Sequence, residues 1–352
     1  MVKDLCFEVI EKCLNNCKFC SSNSNCTKTK IIEFADFKRV IDYFMENGGI
    51  GELSLSGGEP FLHPDIVKMI TYAKSLNIKT VIFTSGVIYG KELSEDLKKY
   101  YLEEKENKLN EIREKEPDNT YLLNKITRYY DQLLKPTSVS CLDKELLLKL
   151  KDIGLDKVVF DFQAYEDDTD SYLMGRKEIS RVSLFDSLYN ATVIGLDTDI
   201  HFIPMKPNYR EIGDILELIE IVKVPNISIL NFLPQGRGRV NKNNLELDEK
   251  EKKSFFEILE DNRKKYSGNI RIGIPLQDED THKCNAGLEK LDIKYDGTIL
   301  PCPAFKELSI DECKRFNIDL PNIYDSLERV KITGYGTRVK PLCKQIYSER
   351  RE

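Results

Sequence analysis

The sequence predicts an α/β fold built from parallel βα units. Between residues 5 and 232, six short apolar runs alternate with segments of helical periodicity. At 352 residues, the chain is long enough for one large domain with a substantial core. Alternating strands and helices form a mostly parallel sheet that helices cover, and such sheets place chemistry at the C-terminal ends of their strands.

Each element is predicted from its own pattern. Phe37, Val40 and Ile41 recur at helical spacing and predict the first helix, while the short apolar runs between the helical segments predict the strands. The predicted strands are residues 5–10, 53–55, 80–83, 158–162, 199–203 and 227–232. The predicted helices are residues 37–45, 66–76, 145–153, 182–194 and 212–222.

Residues 88–138 interrupt this alternation. The segment is densely charged in both signs and contains a turn signal at residues 117–119. Its helical spacing is carried by Leu122, Ile126, Tyr129 and Leu133. We expect an inserted helical hairpin, which is either a solvated decoration or a lid or partner-docking surface.

The chain therefore divides into three predicted parts. Residues 1–240 form the core that contains the insertion, residues 241–269 form a linker helix, and residues 270–352 form a small irregular domain. In this last part the alternation ends, and turns, prolines and four cysteines follow.

Charge and hydropathy exclude several classes of protein. The formal net charge is −6, so a nucleic-acid backbone is an unlikely partner. No run of 18 apolar residues exists, which excludes a membrane-spanning helix. The first residues lack a signal-peptide pattern, so we expect a cytoplasmic protein. Ten cysteines in a reducing compartment favour metal binding or redox chemistry over disulfides.

Three of these cysteines follow the first predicted strand. Cys13, Cys17 and Cys20 are spaced C-x3-C-x2-C. Three thiolates this close can hold three irons of a [4Fe–4S] cluster, which leaves the fourth iron open for a substrate or cofactor. A closed zinc site is the alternative, with Cys26 as its fourth ligand.

A second motif follows the second predicted strand. It reads Gly57, Gly58, Glu59 and Pro60. The glycines let the backbone approach a ligand closely, and the exposed carbonyls and the carboxylate suit an ammonium group.

Together these motifs resemble the radical S-adenosylmethionine (SAM) superfamily, with Phe19 as the aromatic residue before the last cysteine. The resemblance implies a partial (β/α)6 TIM-like barrel, SAM as cofactor, and a [4Fe–4S] cluster on Cys13, Cys17 and Cys20. The Gly57–Gly58–Glu59–Pro60 loop then supports the SAM amino group.

Further SAM contacts are expected where the chain departs from the family pattern. Ser85 replaces the asparagine of a Thr-Asn-Gly motif, and Asp161 and Gln163 stand where Ser-x-Asp is common. Arg176 is either a partner of the SAM carboxylate or a surface residue. Residues 234–239 (PQGRGR) form either an anion site or a tight turn with solvated arginines.

A second cysteine group occupies the C-terminal part. Asp296–Gly297 predicts a hairpin turn that brings Cys302 back toward Cys284, and Cys343 or Cys313 can join them. This spacing resembles the twitch and SPASM extensions of radical SAM enzymes. It implies one auxiliary [4Fe–4S] cluster with Cys284, Cys302 and Cys343 as ligands. Its fourth ligand is Cys313, a group other than cysteine, or bound substrate, and structural zinc is the alternative to a cluster.

The resemblance implies an iron–sulfur oxidoreductase. A reductant such as flavodoxin or ferredoxin supplies an electron, SAM is cleaved, and a 5′-deoxyadenosyl radical takes hydrogen from a substrate carbon. We expect oxidation or cross-linking of a peptide or protein side chain. The alternatives are dehydrogenation or rearrangement of a small molecule and, outside enzymes, an Fe–S electron carrier or a zinc module. Because the first predicted strand begins at residue 5, we expect no leader-binding module before the barrel.

Overall fold

The computed structural model describes residues 2–90, 95–134, 139–176, 178–273, 285–325 and 327–329. Its centre is a nine-stranded sheet in which eight strands run parallel and the edge strand β11 is antiparallel. The strand order is β11-β10-β1-β2-β3-β6-β7-β8-β9. The strands are β1 (Val2–Ile10), β2 (Ile50–Gly57), β3 (Lys79–Thr84), β4 (Ile88–Tyr89), β5 (Val139–Ser140), β6 (Lys157–Asp161), β7 (Thr198–Phe202), β8 (Asn226–Ile229), β9 (Asn269–Ile272), β10 (Lys290–Ile293) and β11 (Ile299–Leu300).

Helices connect these strands and cover the outer face of the sheet. They are α1 (Phe34–Glu46), α2 (Ile66–Ser75), α3 (Glu95–Lys115), α4 (Thr120–Leu133), α5 (Lys144–Ile153), α6 (Asp167–Met174), α7 (Glu178–Val193), α8 (Ile212–Ile221), α9 (Arg237–Val240), α10 (Lys242–Leu245), α11 (Glu249–Asn262) and α12 (Ile310–Phe316). The architecture is that of a partial TIM-like barrel, and all six predicted strands are present.

Side-chain alternation along β1 shows how the sheet separates its two faces. Leu5, Phe7 and Val9 are fully buried against the helical layer, where the rings of Phe7 and Phe37 lie 5.3 Å apart between centroids. Glu8, between Phe7 and Val9, points to the opposite face and lines an internal cavity. The outer face therefore carries the hydrophobic core, and the inner face is free to carry polar chemistry.

The predicted helical insertion is confirmed. Helices α3 and α4 pack against each other, and the short antiparallel pair β4–β5 joins the two ends of the insertion. Its most buried side chains are Leu109 and Tyr130, whereas the four predicted contact residues are only half-buried. Lys105 and Asp131 form an ion pair of 2.6 Å between the helices.

The sheet extends beyond the six predicted strands at both edges. β9 pairs with β8, and β10 pairs in parallel with β1. Both strands are four residues long and lie outside the regular alternation of strands and helices, so the sequence did not indicate that they join the main sheet. The predicted turn at Asp296–Gly297 joins β10 to β11, and Gly297 adopts a φ of 82° there.

Candidate functional site

A cavity of about 330 Å³ lies at the C-terminal ends of the parallel strands. The first cysteine segment, the ends of β2, β3, β6 and β7, the chain after β8 and part of the C-terminal segment all contribute to its wall. The predicted site residues that line it are Cys13, Cys17, Cys20, Gly57, Gly58, Ser85 and Asp161. The fold therefore brings together side chains from seven separate stretches of sequence.

The three predicted cluster cysteines lie together on this cavity. Burial raises the pKa of the Cys13 and Cys17 thiols, and the neighbouring thiols and carboxylates raise it further. A metal ion reverses this effect because it binds the thiolate form. The surrounding protein therefore favours the protonated thiols, and a bound cationic metal centre would be needed to hold them as thiolates.

The donor set fits a cluster better than a closed zinc site. Within the described ranges, no three His, Cys, Asp or Glu side chains converge tightly enough for a single metal ion. Cys26, the proposed fourth zinc ligand, is exposed and absent from the cavity wall. A four-iron cluster is larger than one ion and suits more widely spaced thiols.

Asn15 lies inside the cysteine loop and also fits a bound group. It is 2% exposed and lines the cavity, yet neither polar atom of its side chain has a hydrogen-bond partner among the described residues. Such orphaned groups are costly unless a ligand or water satisfies them. Its backbone N–H lies 3.4 Å from Cys13 Sγ. Sequence reasoning missed Asn15 because loop asparagines carry no pattern.

The glycines after β2 allow a close backbone approach. The N–H of Gly58 donates to the carbonyl of Ile10 at 2.6 Å, and a Cβ on Gly58 would lie 2.1 Å from the carbonyl oxygen of Lys12. Only glycine fits this position. The contact fixes the Gly57–Gly58 loop directly beside the start of the cysteine segment.

Glu59 has a different place from the one expected of a ligand. It is fully buried, outside the cavity wall, and accepts four hydrogen bonds, from Phe61 N, Thr84 Oγ1, Ser85 N and Ser85 Oγ. Burial raises its pKa, although these hydrogen bonds oppose the rise. Pro60 is buried at the start of a 3-10 turn, Pro60–Leu62. Glu59 thus joins the loop after β2 to the loop after β3 and leaves Ser85 on the cavity.

Asp161 lines the cavity at the end of β6, and Gln163 stands behind it. Burial raises the pKa of Asp161 to about 6. The Gln163 amide donates to Asp161 and to the carbonyl of His201, and its oxygen accepts from Ile203 N at 2.9 Å. Gln163 is fully buried and outside the wall. It therefore orients Asp161 and joins the ends of β6 and β7.

Arg176 is buried rather than on the surface. Its Nε and Nη2 donate to the two oxygens of Asp170 at 2.7 and 2.5 Å. Its Nη1 has no partner within the described part of the chain, and its charge lowers the pKa of Cys17 and of Asp161. One guanidinium nitrogen is thus available close to the cysteine loop.

The C-terminal segment reaches the same cavity. Cys302 immediately precedes the 3-10 turn Pro303–Phe305, and Pro303 and Lys306 line the wall. Cys313 lies on the short helix α12. Cys284 and Cys343 lie outside the described residues, so the predicted convergence of four cysteines stays a prediction.

A buried charge cluster that the sequence did not predict connects this segment to β1. The ammonium group of Lys306 contacts Glu8 and donates to Ser22 Oγ at 3.0 Å, and Ser22 donates to Glu8 at 2.6 Å. Although burial lowers the pKa of Lys306, Glu8 and Asp292 raise it above its usual value. Burial raises the pKa of Asp292 to about 6. The contacts join residues nearly 300 positions apart, which no local pattern reveals.

His201 also lines the cavity. Burial and the positive charges of Arg271, Lys157 and Lys290 lower its pKa to about 3, so its imidazole is neutral at physiological pH. The ring lies 5.0 Å from that of Phe83. The wall beyond the cysteines therefore combines neutral aromatic surface with a few placed polar groups, as substrate cavities commonly do.

The fold and this cavity define an α/β protein with a three-cysteine site at the C-terminal ends of parallel strands. Residues 7–106 match the family model described as Radical SAM superfamily. This match identifies a radical SAM domain in that part of the chain, and members of the superfamily bind SAM and a [4Fe–4S] cluster.

Relatives in sequence include enzymes of two kinds. A probable GTP 3′,8-cyclase of Methanococcus aeolicus is 24% identical, with 86% of this chain and 85% of that protein covered. The PqqA peptide cyclase of Bradyrhizobium diazoefficiens is 20% identical, with 96% of this chain and 76% of that protein covered.

Two solved structures share the fold. Streptococcus suis SuiB bound to precursor peptide SuiA matches 98% of this chain with a TM-score of 0.61 at 18% identity. This chain spans 66% of the SuiB chain, just under two thirds. Native anSMEcpe with bound AdoMet matches 94% of this chain and 81% of its own, with a TM-score of 0.57 at 12% identity. Among the described residues, no helix combines the length and apolar character that a membrane crossing needs.

Proposed function

We propose that this radical SAM enzyme modifies a peptide or protein side chain by oxidation or cross-linking. The observation that carries the proposal is the shared cavity: the segment after Cys302 and the first cysteine loop line the same space. A substrate held there would lie between the two cysteine sites. The peptide cyclase relative and the peptide-bound SuiB structure support a peptide as the substrate class.

We assign Cys13, Cys17 and Cys20 as ligands of the [4Fe–4S] cluster. When bound, that cluster and SAM supply reductive cleavage of SAM and removal of a hydrogen atom from a substrate carbon. Gly57 and Gly58 present backbone to the cofactor, while Ser85 and Asp161 face it with a hydroxyl and a carboxylate. Arg176 Nη1, the Asn15 amide and Ser24 Oγ are buried polar groups with no hydrogen-bond partner among the described residues, and so they have hydrogen-bonding capacity left.

We further propose that Cys302 helps to hold one auxiliary [4Fe–4S] cluster, with Cys284, Cys343 and Cys313 as the other candidate ligands. Cys302 precedes two residues of the cavity wall, so a cluster there would adjoin the substrate. A flavodoxin or ferredoxin would supply the reducing electron. A cytoplasmic location stays part of this proposal.

A small-molecule substrate is the second candidate function. The probable GTP 3′,8-cyclase relative favours it, because that protein matches this chain over nearly its full length.

The first experiment separates radical chemistry from other roles. After anaerobic reconstitution, wild type with SAM and dithionite should form 5′-deoxyadenosine. The Cys13→Ala/Cys17→Ala/Cys20→Ala variant should form none, whereas Cys26→Ala, in an exposed position, should resemble wild type. Unchanged cleavage in the triple variant would overturn the ligand assignment. A panel of peptides and nucleotides, scored by mass change, then decides between the two substrate classes.

A further inference from the structure

One short turn after β8 contacts both cysteine-bearing segments. It consists of Gln235, Gly236 and Arg237, and it belongs to the PQGRGR stretch in which the sequence left an anion site and a solvated turn open. Gln235 and Arg237 both line the cavity. Neither an anion nor bulk solvent accounts for the contacts that these side chains make.

Arg237 holds the first cysteine loop through backbone carbonyls. Its Nε donates to the carbonyl of Cys17 and its Nη2 to that of Ser24, both at 2.7 Å, and its backbone N–H donates to the carbonyl of Cys20 at 3.0 Å. A guanidinium can make two such bonds at once because its donors form a rigid planar fork. Three points of the loop are thereby fixed to one residue.

Gly236 makes this contact possible. Its φ is +55°, and a Cβ at this position would lie 2.4 Å from the carbonyl oxygen of Cys20. A side chain would be strained by the backbone conformation and would collide with the loop. The turn can therefore lie directly on the cysteine loop only with glycine here.

Gln235 holds the C-terminal segment on the other side. It is 1% exposed, its Nε2 donates to the carbonyl of Pro303 at 3.2 Å, and its Oε1 accepts from Lys306 N at 2.9 Å. Both partners lie within four residues after Cys302 in the chain. The amide uses a donor and an acceptor at once, which neither leucine nor glutamate can do.

Lys306 provides a second connection between the same segments. Its ammonium group contacts Ser22 at 3.0 Å and Ser21 at 3.4 Å, and both serines follow Cys20. The first cysteine loop and the stretch around Cys302 contain little regular secondary structure. Such segments owe their order to contacts of this kind rather than to a ladder of backbone hydrogen bonds.

We propose that Gln235, Arg237 and Lys306 are positioning residues that hold the Cys302 segment in a fixed relation to the first cysteine loop. Order in one segment then depends on order in the other, although they are about 280 residues apart in sequence. If the auxiliary cluster of the proposed function binds at Cys302, its position relative to the first cluster would depend on the same contacts. The coupling itself requires only the described contacts.

Hydrogen exchange on the anaerobically reconstituted full chain tests this proposal. Arg237→Met should speed exchange roughly tenfold to a hundredfold in residues 13–26, as expected when charged hydrogen bonds are lost. The decisive readout is residues 302–308, which Arg237 does not touch and which should also exchange faster. Gln235→Leu should loosen residues 302–308, and Arg113→Met is the matched control because Arg113 is largely exposed and pairs with Glu106 within the insertion. Helix α8 serves as the internal reference for global unfolding.

The spectrum of the first cluster distinguishes a local effect of Arg237 from global destabilisation, and the iron content tests the auxiliary cluster separately. The electron paramagnetic resonance spectrum of the first cluster with SAM should shift in Arg237→Met but not in Arg113→Met, and Arg237→Lys should restore it in part. If Arg237→Met leaves residues 302–308 at wild-type exchange, the coupling is wrong. If instead only about four irons bind per chain, the auxiliary cluster fails, and the exchange results still stand.

Discussion

Glu59 and Ser85 are joined by two hydrogen bonds to a single carboxylate oxygen, from Ser85 N at 2.7 Å and from Ser85 Oγ at 2.6 Å. The contact connects the loops after β2 and β3, and it changes the meaning of the Gly-Gly-Glu-Pro motif in this chain. The Glu59 carboxylate was expected to support SAM, but both of its oxygens already accept hydrogen bonds from other residues of the protein. The motif reaches the cavity through its glycines instead.

Glu59→Gln should therefore destabilise the fold rather than weaken SAM binding alone. The new amide group faces N–H and O–H donors, so we expect a loss of about 2 kcal/mol in the free energy of unfolding. Urea denaturation measures this, with Glu52→Gln as control, because Glu52 forms a partly exposed ion pair with Lys79 and should lose less than about 1 kcal/mol. Wild-type stability together with lost SAM affinity would instead make Glu59 a ligand.

Asp161 should give the stability of the metal-free protein a distinct pH dependence. Because burial raises its pKa from 3.8 to about 6, the folded state holds this proton more tightly than the unfolded chain. Its contribution is full below the unfolded pKa and is lost as the pH rises through about 6. Relative to wild type, Asp161→Asn should gain on the order of 3 kcal/mol between about pH 4 and pH 7.

This dependence is measured by urea unfolding at several pH values. The difference between the variant and wild type should grow with pH and then level off above the folded pKa. A difference that stays constant, or that shrinks as the pH rises, contradicts the assignment of a raised pKa to Asp161.

Cys302→Ala should lower the iron content. Wild type should bind about eight irons per chain in two four-iron clusters, and the variant should approach four while retaining 5′-deoxyadenosine formation. Iron and sulfide analysis after anaerobic reconstitution measures this, and Cys26→Ala is the control because Cys26 is exposed. Full iron in Cys302→Ala would remove this cysteine from the auxiliary site.

Lys306→Met should be strongly destabilising. The substitution leaves Glu8, 1% exposed, without its ammonium partner, and breaking a buried ion pair from one side costs about 3–5 kcal/mol. The double variant Glu8→Gln/Lys306→Met removes both charges and should recover part of the loss. Denaturation of the three proteins forms the test, and a double variant that is no more stable than Lys306→Met would contradict a specific pairing.

Replacing residues 91–138 with a short Gly/Ser linker should leave the barrel folded. The β4–β5 pair already holds the two ends of the insertion together. The most buried side chains of the insertion, Leu109 and Tyr130, belong to its own two helices. Cluster content and abortive SAM cleavage should persist, while turnover of the true substrate should weaken. An unfolded variant would place the hairpin in the core, and unchanged turnover would make it a solvated decoration.

Local patterns in the sequence determined the repeating core and the first site. The spacing of Cys13, Cys17 and Cys20, the Gly57–Gly58 pair and the alternating strands and helices are all properties of neighbouring residues. They predicted six strands, the inserted hairpin and the end of the sheet at which the cavity lies. Periodicity and spacing suffice there because parallel βα units bring consecutive strand ends to one edge.

Only the tertiary structure decided what most of the polar residues contact. The carboxylate of Glu59 and the amide of Gln163 proved to hold strand ends and loops rather than to face the cavity. The guanidinium of Arg237, which does line the cavity, holds the first cysteine loop. Arg237 reaches a carbonyl 220 positions away, and Lys306 reaches a carboxylate 298 positions away. A hydrogen bond between such distant residues depends on how the whole chain packs, and so no local pattern of residue types encodes it.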